Sequence, residues 1–349
     1  MKVVDMHCDT ISALLQKKRA GEKASLRENT CQLDLKKMQV GDYLLQNFAL
    51  FVEMEACEDS WQEVQELLKL YEEEIQANKD LILPVLTGED IGRNIKAGKM
   101  SALLTVEEGG VCGGSLAKLD MLYGQGVRMM TISWNYPNEL GYPNLDRKRG
   151  RAVRQAVRET EAGKADEAIK AYLNTPDVKN GLTETGRAFV SRMEELGMII
   201  DVSHMSDAGF YNVLECTRKP FVASHSNARE VCPCVRNLSN DMIQKLAERG
   251  GVMGLNFCAD FLTQRPYGEP NPGTIAAIVT HAKHIANLGG IECLGLGSDF
   301  DGIDIHEELP GADCMGRLWE ALKQGGFKES ALDKIYGENV LRLYREVMH

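Results

Sequence analysis

The segment Val3-Val4-Asp5-Met6-His7-Cys8-Asp9 is an apolar run that ends in a histidine and an aspartate two residues apart. In a β-strand, residues i and i+2 point to the same side, so an imidazole nitrogen and a carboxylate oxygen would project together from its end. Both groups are good ligands for Zn²⁺. Taken alone, the pattern is more typical of a capped strand end than of a metal site, so the choice depends on the remaining chain.

Seven further β-rich runs follow the first one, and they alternate with amphipathic stretches such as 60–78 and 274–288. Alternating strands and helices predict parallel pairing through right-handed crossovers. Eight such units favour an α/β fold of the (β/α)8 TIM-type barrel class, and an open α/β sheet with a helical appendage is the alternative. The eight predicted strands are 3–9, 43–52, 102–107, 128–134, 198–204, 220–225, 251–257 and 293–299.

One connection is much longer than the others. The chain has no Pro/Ser-rich linker, so we predict a single domain over 1–349 with a long insertion at 135–180, after the fourth strand. The loops that follow barrel strands normally take only a few residues. The insertion carries a charged, Ala-rich helical pattern, which predicts either a solvated surface helix or a lid over the mouth of the barrel.

The composition excludes several classes of protein. With 40 basic and 51 acidic residues the net charge is -11, which argues against a nucleic-acid partner. No apolar run approaches the ~20 residues needed to span a bilayer, and neither end resembles a signal peptide or an anchor, so we expect no membrane association. The ten cysteines are scattered, which indicates reduced thiols and a cytoplasmic location. Cys232 and Cys234 form one close pair, without the spacing of a typical redox or metal motif.

Polar side chains recur at the ends of the predicted strands. A barrel brings the carboxyl ends of its strands to one rim, so these side chains should meet there and form a metal site. They offer more ligands than one tetrahedral zinc needs, which favours two cations that share a carboxylate and a water. Such a pair generates hydroxide at neutral pH and polarises a carbonyl. The strand-end groups are His7 and Asp9, Glu107-Glu108-Gly109-Gly110, Asp201-Val202-Ser203-His204, Ser224-His225-Ser226 and Gly297-Ser298-Asp299-Phe300-Asp301-Gly302.

Together with Arg236-Asn237, these motifs resemble the membrane dipeptidase (renal dipeptidase) family of zinc peptidases, within the amidohydrolase superfamily. The motifs match in order from the first strand to the last, and only 135–180 is left uncovered. The resemblance implies a dipeptidase with two Zn²⁺ per chain, which attacks the amide bond of a dipeptide with a free C-terminal carboxylate through a metal-bridging hydroxide. It also implies a possible homodimer.

The resemblance further implies a role for each matched residue. His7 and Asp9 would bind one zinc, His204 and His225 the other, and a glutamate would bridge them. Asp299 would handle protons for the bridging water and the leaving amine, as a carboxylate beside a metal-bound water can. Arg236 would hold the terminal carboxylate of the substrate, for which guanidinium is a natural bidentate partner.

Two departures from the family pattern leave questions open. The family has one glutamate before Gly-Gly and this chain has two; we assign the bridge to Glu107, because its distance along the chain to the fourth strand matches without a gap. Where animal members end the fourth strand in a substrate-facing histidine, this chain has Ser133-Trp134-Asn135. We predict that Asn135, or a residue of the insertion, supplies the missing donor to the substrate.

Two alternatives to a dipeptidase remain at this stage. One is another amidohydrolase that acts on a lactone, cyclic amide or phosphoester, and the other is a non-catalytic metal-binding protein. His281 and His284 lie one turn apart on a predicted helix, and packing explains them better than metal binding.

Overall fold

The computed structural model describes residues 1–158, 160–304 and 306–348, and the side chain of Ala162 lies outside the description. All strands of this part of the chain belong to one parallel sheet. They are β1 (Val3–Asp5), β2 (Tyr43–Phe51), β3 (Ile82–Pro84), β4 (Met100–Glu107), β5 (Val127–Thr131), β6 (Ile199–Asp201), β7 (Val222–Ala223), β8 (Val252–Leu255) and β9 (Leu294–Leu296).

Helices connect the strands and surround the sheet. Within the described ranges, none is both long and apolar enough to cross a lipid bilayer. The helices are α1 (Thr10–Arg19), α2 (Leu35–Val40), α3 (Ser60–Ala77), α4 (Gly88–Lys96), α5 (Leu116–Gly124), α6 (Arg147–Ala156), α7 (Ala162–Asn174), α8 (Glu184–Leu196), α9 (Asp207–Cys216), α10 (Asn240–Glu248), α11 (Ala259–Leu262), α12 (Ile275–Gly289), α13 (Met315–Gln324), α14 (Glu329–Asp333) and α15 (Asn339–Val347).

Eight of the strands close into a barrel in the order β1-β2-β4-β5-β6-β7-β8-β9. Residue Asp5 of β1 pairs with both Gln46 of β2 and Leu296 of β9, so the first strand joins the two ends of the sheet. Every pairing is parallel, because a helix returns the chain to the same end of the barrel after each strand. The predicted (β/α)8 barrel is confirmed, and the alternative of an open sheet is wrong.

Strand β3 is the one strand that the sequence pattern did not predict. It pairs with the first half of β4, from Ile82 opposite Met100 to Pro84 opposite Ala102, and it adds a ninth strand outside the barrel. Three residues that end in proline are too short to show alternation, and proline cannot donate to a further ladder bond. The segment is therefore an edge strand with little sequence signal.

Except for β4, which ends at Glu107 as predicted, the barrel strands are shorter than predicted at their carboxyl ends. β1 ends at Asp5 and not at Asp9, and β9 ends at Leu296 and not at Asp299. The main chain still pairs beyond these points, because the Asp9 amide donates to the Phe300 carbonyl at 2.9 Å. Asp299 has φ 65° and His204 has φ 71°, in the left-handed region, which ends regular strand geometry. His7, Asp9, His204 and His225 consequently follow their strands, and Glu107 is the last residue of β4.

A layer of apolar side chains fills the barrel, and helix α15 closes its amino-terminal end. The Tyr344 hydroxyl of α15 accepts a hydrogen bond from Nδ2 of Asn47 on β2, at 2.6 Å. Because this end is packed shut, access to the interior is left to the carboxyl end of the strands. The layer and the plug contain Val4, Leu45, Leu103, Met129, Ile199, Val222, Val252, Val340, Leu341 and Tyr344.

The insertion at 135–180 is helical, as predicted, and consists mainly of α6 and α7. These helices share a small apolar cluster of their own, built on Val157, Ala165 and Ile169. Ion pairs tie α6 to the segment after β2: Arg147 to Glu53, and Arg151 to Glu55 at 2.7 Å. The insertion is thus fixed at the carboxyl end of the barrel, while its role as a lid stays a prediction.

His281 on α12 is a buried packing residue. Its Nδ1 accepts from the Ala228 amide at 3.1 Å, its Nε2 donates to the Leu262 carbonyl at 3.0 Å, and burial lowers its pKa to about 4. In the unfolded chain the pKa of histidine is about 6.5. Between about pH 6.5 and about pH 4 the unfolded state therefore binds more protons, so this residue makes the protein less stable as the pH falls.

We expect His281→Gln to show a weaker loss of stability with acid than the parent protein. The free energy of unfolding of the parent should fall by roughly 3 kcal/mol more than that of His281→Gln when the pH is lowered from about 6.5 to about 4. Urea unfolding at several pH values measures it. Identical slopes for the two proteins would show that the pKa of His281 is the same in the folded and unfolded states.

Candidate metal centre

Five of the predicted ligand side chains meet at the carboxyl end of the barrel. They are all buried, and the nearest polar atoms of neighbouring members lie within hydrogen-bond or ion-pair distance. They come from the ends of four strands or from the residues just after them, which explains why residues far apart in sequence converge. They are His7 and Asp9 after β1, Glu107 at the end of β4, His204 after β6 and His225 after β7.

Glu107 stands between two sets of donors and turns one carboxylate oxygen to each. Its Oε2 lies 3.5 Å from Nε2 of His7, which in turn lies 3.4 Å from Oδ2 of Asp9. Its Oε1 lies 3.0 Å from Nε2 of His204 and 3.6 Å from Nε2 of His225. Both sets are close enough together for each to hold one metal ion, and they share Glu107.

The outer nitrogens of the two later histidines are held by hydrogen bonds. Nδ1 of His204 donates to Oδ1 of Asn135 at 2.9 Å. The Ser224 hydroxyl donates to Asp201 at 2.6 Å, so its oxygen is left to accept from Nδ1 of His225 at 2.7 Å. A proton on each Nδ1 leaves each Nε2 with a free lone pair, which is the state in which histidine binds a metal.

These two lone pairs face each other, because the Nε2 atoms of His204 and His225 are only 2.9 Å apart. Burial and the nearby Arg236 lower the pKa of His204 to about 4, and burial and the charge on His7 lower the pKa of His225 well below its usual value. Two neutral imidazoles and a carboxylate oxygen therefore converge with no proton to share. Oδ1 of Asp9 is also buried without a hydrogen-bond partner in the described residues. Such a donor set fits cations.

Glu108 has a different environment from its neighbour. Its carboxylate accepts from the amides of Gly110 at 2.7 Å and Trp134 at 2.8 Å, and from the side chain of Asn138. These contacts turn it toward the loops after β4 and β5, away from the histidines. Burial raises its pKa to about 7. The geometry thus brings Glu107, and not Glu108, into the metal centre.

Asp299 lies at the edge of the same centre. Its Oδ1 is 3.7 Å from Nε2 of His7, and its Oδ2 accepts from Nδ2 of Asn256 at 2.9 Å. Burial and the charges of Asp9 and Glu107 raise its pKa to about 7. A carboxyl group with that pKa can both take and give a proton near neutral pH.

The family model of the membrane dipeptidases (peptidase family M19) matches residues 1–158 and 155–349 of the chain. The two matched segments together cover the whole sequence. The chain belongs to the membrane dipeptidase family.

Curated relatives and solved structures agree with this membership. The chain is 30% identical over 263 residues to a protein from Klebsiella pneumoniae called an uncharacterized protein in the pqqA 5′ region, covering 75% of this chain and 88% of that one. It is 28% identical over 306 residues to the dipeptidase TcpJ of Claviceps purpurea, covering 86% of this chain but only 63% of that protein. The chain thus spans less than two thirds of this fungal dipeptidase.

Two crystal structures of metallopeptidases share the fold over almost the entire chain. The dipeptidase AC superposes with a TM-score of 0.86 at 24% identity and covers 100% of this chain and 99% of its own. A metallopeptidase from Rhodobacter sphaeroides, liganded with a phosphinate mimic of the dipeptide L-Ala-D-Ala, has a TM-score of 0.83 at 24% identity and covers 99% of both chains. At this level of identity the superpositions show a common fold.

Two buried aspartates hold the centre of this membrane dipeptidase family member in place: Asp201 was among the predicted strand-end groups but was given no role, and Asp5 was not predicted as part of the site. Asp5 accepts from the amide and the hydroxyl of Ser298, at 2.9 and 2.6 Å. Asp201 binds the amide and the hydroxyl of Ser224 in the same way, at 2.9 and 2.6 Å. Each aspartate fixes the main chain beside a predicted ligand or proton carrier. Both occur two or three residues before a predicted histidine ligand, the one sequence signal that could have identified them.

Arg236 is buried close to the centre but does not form part of the cavity wall. Its Nη2 donates to the His225 carbonyl at 3.2 Å, its Nη1 lies 3.4 Å from the Ser226 hydroxyl, and its guanidinium packs 5.2 Å from the ring of Phe261. Burial lowers its pKa, and Nε has no hydrogen-bond partner within the described residues. Its hydrogen-bond contacts are with neutral groups, and among the described residues the carboxylates of Asp299 and Glu107 act on it through their charges without an ion pair.

A cavity of about 670 Å³ opens above the centre. Phe51 and Trp134 line one part of its wall, with their rings 4.8 Å apart, and Phe261 lines another. Asn135 also lines the cavity, so this predicted substrate-binding residue both faces the cavity and accepts a hydrogen bond from His204. The cavity is large enough for a dipeptide and meets the metal centre at Asp9, Glu107, His204 and Asp299.

Proposed function

We propose that this protein is a metal-dependent dipeptidase with two zinc ions. The observation that carries the proposal is the position of Glu107, which turns one oxygen to His7 and the other to His204 and His225. A carboxylate between two donor sets is the arrangement that two neighbouring cations require. Membership of the membrane dipeptidase family supports the choice of a dipeptide as substrate.

The two donor sets divide the predicted ligands. His7, Asp9 and Glu107 would hold one zinc, and Glu107, His204 and His225 would hold the other, a mixture of nitrogen and oxygen ligands that suits Zn²⁺. Two zinc ions at this site would supply a water of lowered pKa and polarise the scissile carbonyl.

Asp299 moves protons in this proposal. Its Oδ1 faces the centre near His7, while the hydrogen bond from Asn256 fixes Oδ2. Oδ1 takes the proton of the attacking water and delivers it to the nitrogen of the leaving amine, which needs a pKa near the working pH.

Arg236 and Asn135 position the substrate. The buried guanidinium of Arg236 lacks a carboxylate partner, and the terminal carboxylate of a dipeptide can provide one after a small movement of Phe261. Asn135 holds His204 through Oδ1, and its Nδ2 amide at the cavity wall donates to the substrate carbonyl. This amide takes the place of the histidine that animal members have on the same strand.

We also propose a cytoplasmic location for the protein. All ten cysteines are free thiols, which supports the proposed cytoplasmic, reducing location. The homodimer expected from the family resemblance stays a prediction.

The purified protein is expected to contain about two zinc ions per chain and to lose dipeptide hydrolysis when a chelator removes them.

Arg236→Ala should reduce kcat/KM about 10- to 100-fold, because it removes charged hydrogen bonds to the substrate. Metal analysis and a panel of dipeptides, with L- or D-residues at the C-terminal position, measure both effects. The same panel with a C-terminal amide is the control, since substrates without the carboxylate should not discriminate between Arg236→Ala and the parent.

Fewer than one zinc per chain, together with full hydrolysis by His204→Ala, would contradict the proposal. An enzyme for lactones or other uncharged substrates would retain its activity in Arg236→Ala.

A further inference from the structure

A second cavity of about 380 Å³ lies between the insertion and the mouth of the barrel. It shares Trp134 and Asn135 with the catalytic cavity, so the two spaces adjoin along this part of the wall. We call it the side pocket. It is lined by Trp134, Asn135, Leu145, Arg147, Gly150, Arg151, Arg154, Tyr172 and Leu173.

The two adjoining cavities carry opposite charge. Among the described residues, the charged side chains that line the catalytic cavity are all carboxylates: Asp9, Glu107, Asp260, Glu269, Asp299, Asp301 and Asp304. Those that line the side pocket are all guanidiniums: Arg147, Arg151 and Arg154. A negatively charged group at the shared wall is therefore attracted to the guanidiniums of the side pocket.

The arginines of the side pocket are held in different ways. Arg147 pairs with Glu53, and its guanidinium lies 5.5 Å from the centre of the Trp134 ring. Arg151 makes two hydrogen bonds to Glu55, at 2.7 and 3.2 Å. Both carboxylates lie outside the lining of the pocket and fix these two side chains in place. Arg154 is exposed at the pocket and forms no ion pair within the described chain, so its guanidinium is available to an anion.

Tyr172 forms the wall of the side pocket on the insertion side. Its hydroxyl donates to the Asp146 carbonyl at 2.9 Å, and a Cβ atom on residue 150 would lie only 2.6 Å from that hydroxyl oxygen. Gly150 is thus needed for the helix to approach the ring so closely. Trp134 and Tyr172 give the pocket two aromatic surfaces in addition to its guanidiniums.

We propose that the side pocket binds the carboxylate side chain of the substrate, so that the enzyme prefers dipeptides containing glutamate or aspartate. The inference rests on the proposed dipeptidase function, because it places the reacting amide at the centre beside Asn135. From that position a side chain passes the shared wall of Trp134 and Asn135 and reaches the guanidiniums. Arg154 is the guanidinium of the side pocket that is not paired with a carboxylate of the described chain, so we assign the substrate carboxylate to it. Guanidinium is well suited to bind a carboxylate.

The test compares substrates that differ only in charge. For the zinc-loaded enzyme we measure kcat/KM for Glu-Ala against Gln-Ala and for Ala-Glu against Ala-Gln, so that the two positions are tested separately. The parent should favour the glutamate substrate by on the order of tenfold in at least one pair. Arg154→Glu should abolish or reverse this ratio, while kcat/KM for the glutamine substrate stays near the parent value.

Arg158→Glu is the matched control. Arg158 lies just after α6, the helix that carries Arg154, and its substitution by glutamate changes the charge by the same amount. Arg158 does not line the side pocket. Its glutamate-to-glutamine ratio should equal that of the parent. The ratio of the parent should also decrease with added salt, as expected for an attraction between charges.

A binding measurement separates this inference from the proposed function. Calorimetry with glutarate should show weaker binding to Arg154→Glu than to Arg158→Glu, whether or not any dipeptide is hydrolysed. Absence of dipeptide hydrolysis would refute the dipeptidase proposal alone. The side pocket would be refuted as a carboxylate site if Arg154→Glu and Arg158→Glu bound glutarate equally. It would also be refuted if the two variants had the same ratio of kcat/KM for the glutamate substrate to kcat/KM for the glutamine substrate.

Discussion

Glu107→Gln is expected to lower kcat/KM for dipeptides by roughly 10³-fold, about 4 kcal/mol of transition-state stabilisation. Glutamine has the shape of glutamate, but it offers an acceptor on one side only and carries no charge. One of the two donor sets would therefore lose its carboxylate oxygen from residue 107. This is either the set with His7 or the set with His204 and His225. The variant should bind about one zinc fewer than the parent, which metal analysis of the folded protein measures alongside the kinetics.

Glu108→Gln provides the matched comparison at the adjacent residue. The carboxylate of Glu108 accepts from the amides of Gly110 and Trp134, and a glutamine amide group would face one of these donors. Its free energy of unfolding should fall by about 1–3 kcal/mol, while its zinc content stays at the parent value. The opposite pattern, with zinc lost from Glu108→Gln and kept by Glu107→Gln, would transfer the bridging role to Glu108.

The second large effect is expected for Asp299→Asn, which should reduce kcat by about 10²- to 10⁴-fold. Asparagine fits the same space and can still accept the hydrogen bond from Asn256, but it cannot take a proton from water. Zinc content and KM should change little, because the predicted metal ligands and Arg236 are untouched. Steady-state kinetics on one neutral dipeptide, with metal analysis of the same preparation, test the expectation.

Asp304→Asn is the control for charge at the cavity. Asp304 is exposed at the rim of the same cavity, so the substitution removes one negative charge without removing a proton carrier. It should leave kcat near the parent value. Equal losses of kcat in the two variants would mean that Asp299 acts only through the field of the cavity and not as an acid and base.

Much of the barrel could be predicted from the sequence because doubly covered parallel strands are apolar along their length. Each of the eight predicted runs overlaps one barrel strand, and the polar groups at their ends meet at one rim. The choice between Glu107 and Glu108 could be argued only from spacing in the sequence. The structure decides their positions through the loops after β4 and β5, whose amides hold Glu108.

Other features depend on contacts that no local pattern carries. Asp5 and Asp201 look like ordinary residues at the end of apolar runs, and their partners Ser298 and Ser224 lie on other segments of the chain. The strand ends were predicted too late because His204 and Asp299 adopt left-handed backbone angles, for which the sequence offered no glycine as a signal. The side pocket likewise forms only when the insertion folds back onto the barrel.

Closure of the sheet between β1 and β9 determines when the site can assemble during biosynthesis. The residues of the His204 side, from Glu107 to His225, are translated before the last strand exists, and that half can form early. The His7 side also needs Ser298, which holds Asp5, and Asp299 beside it. A chain that lacks β9 and the residues after it therefore lacks the partners of Asp5 and His7, and its centre stays incomplete until the barrel closes.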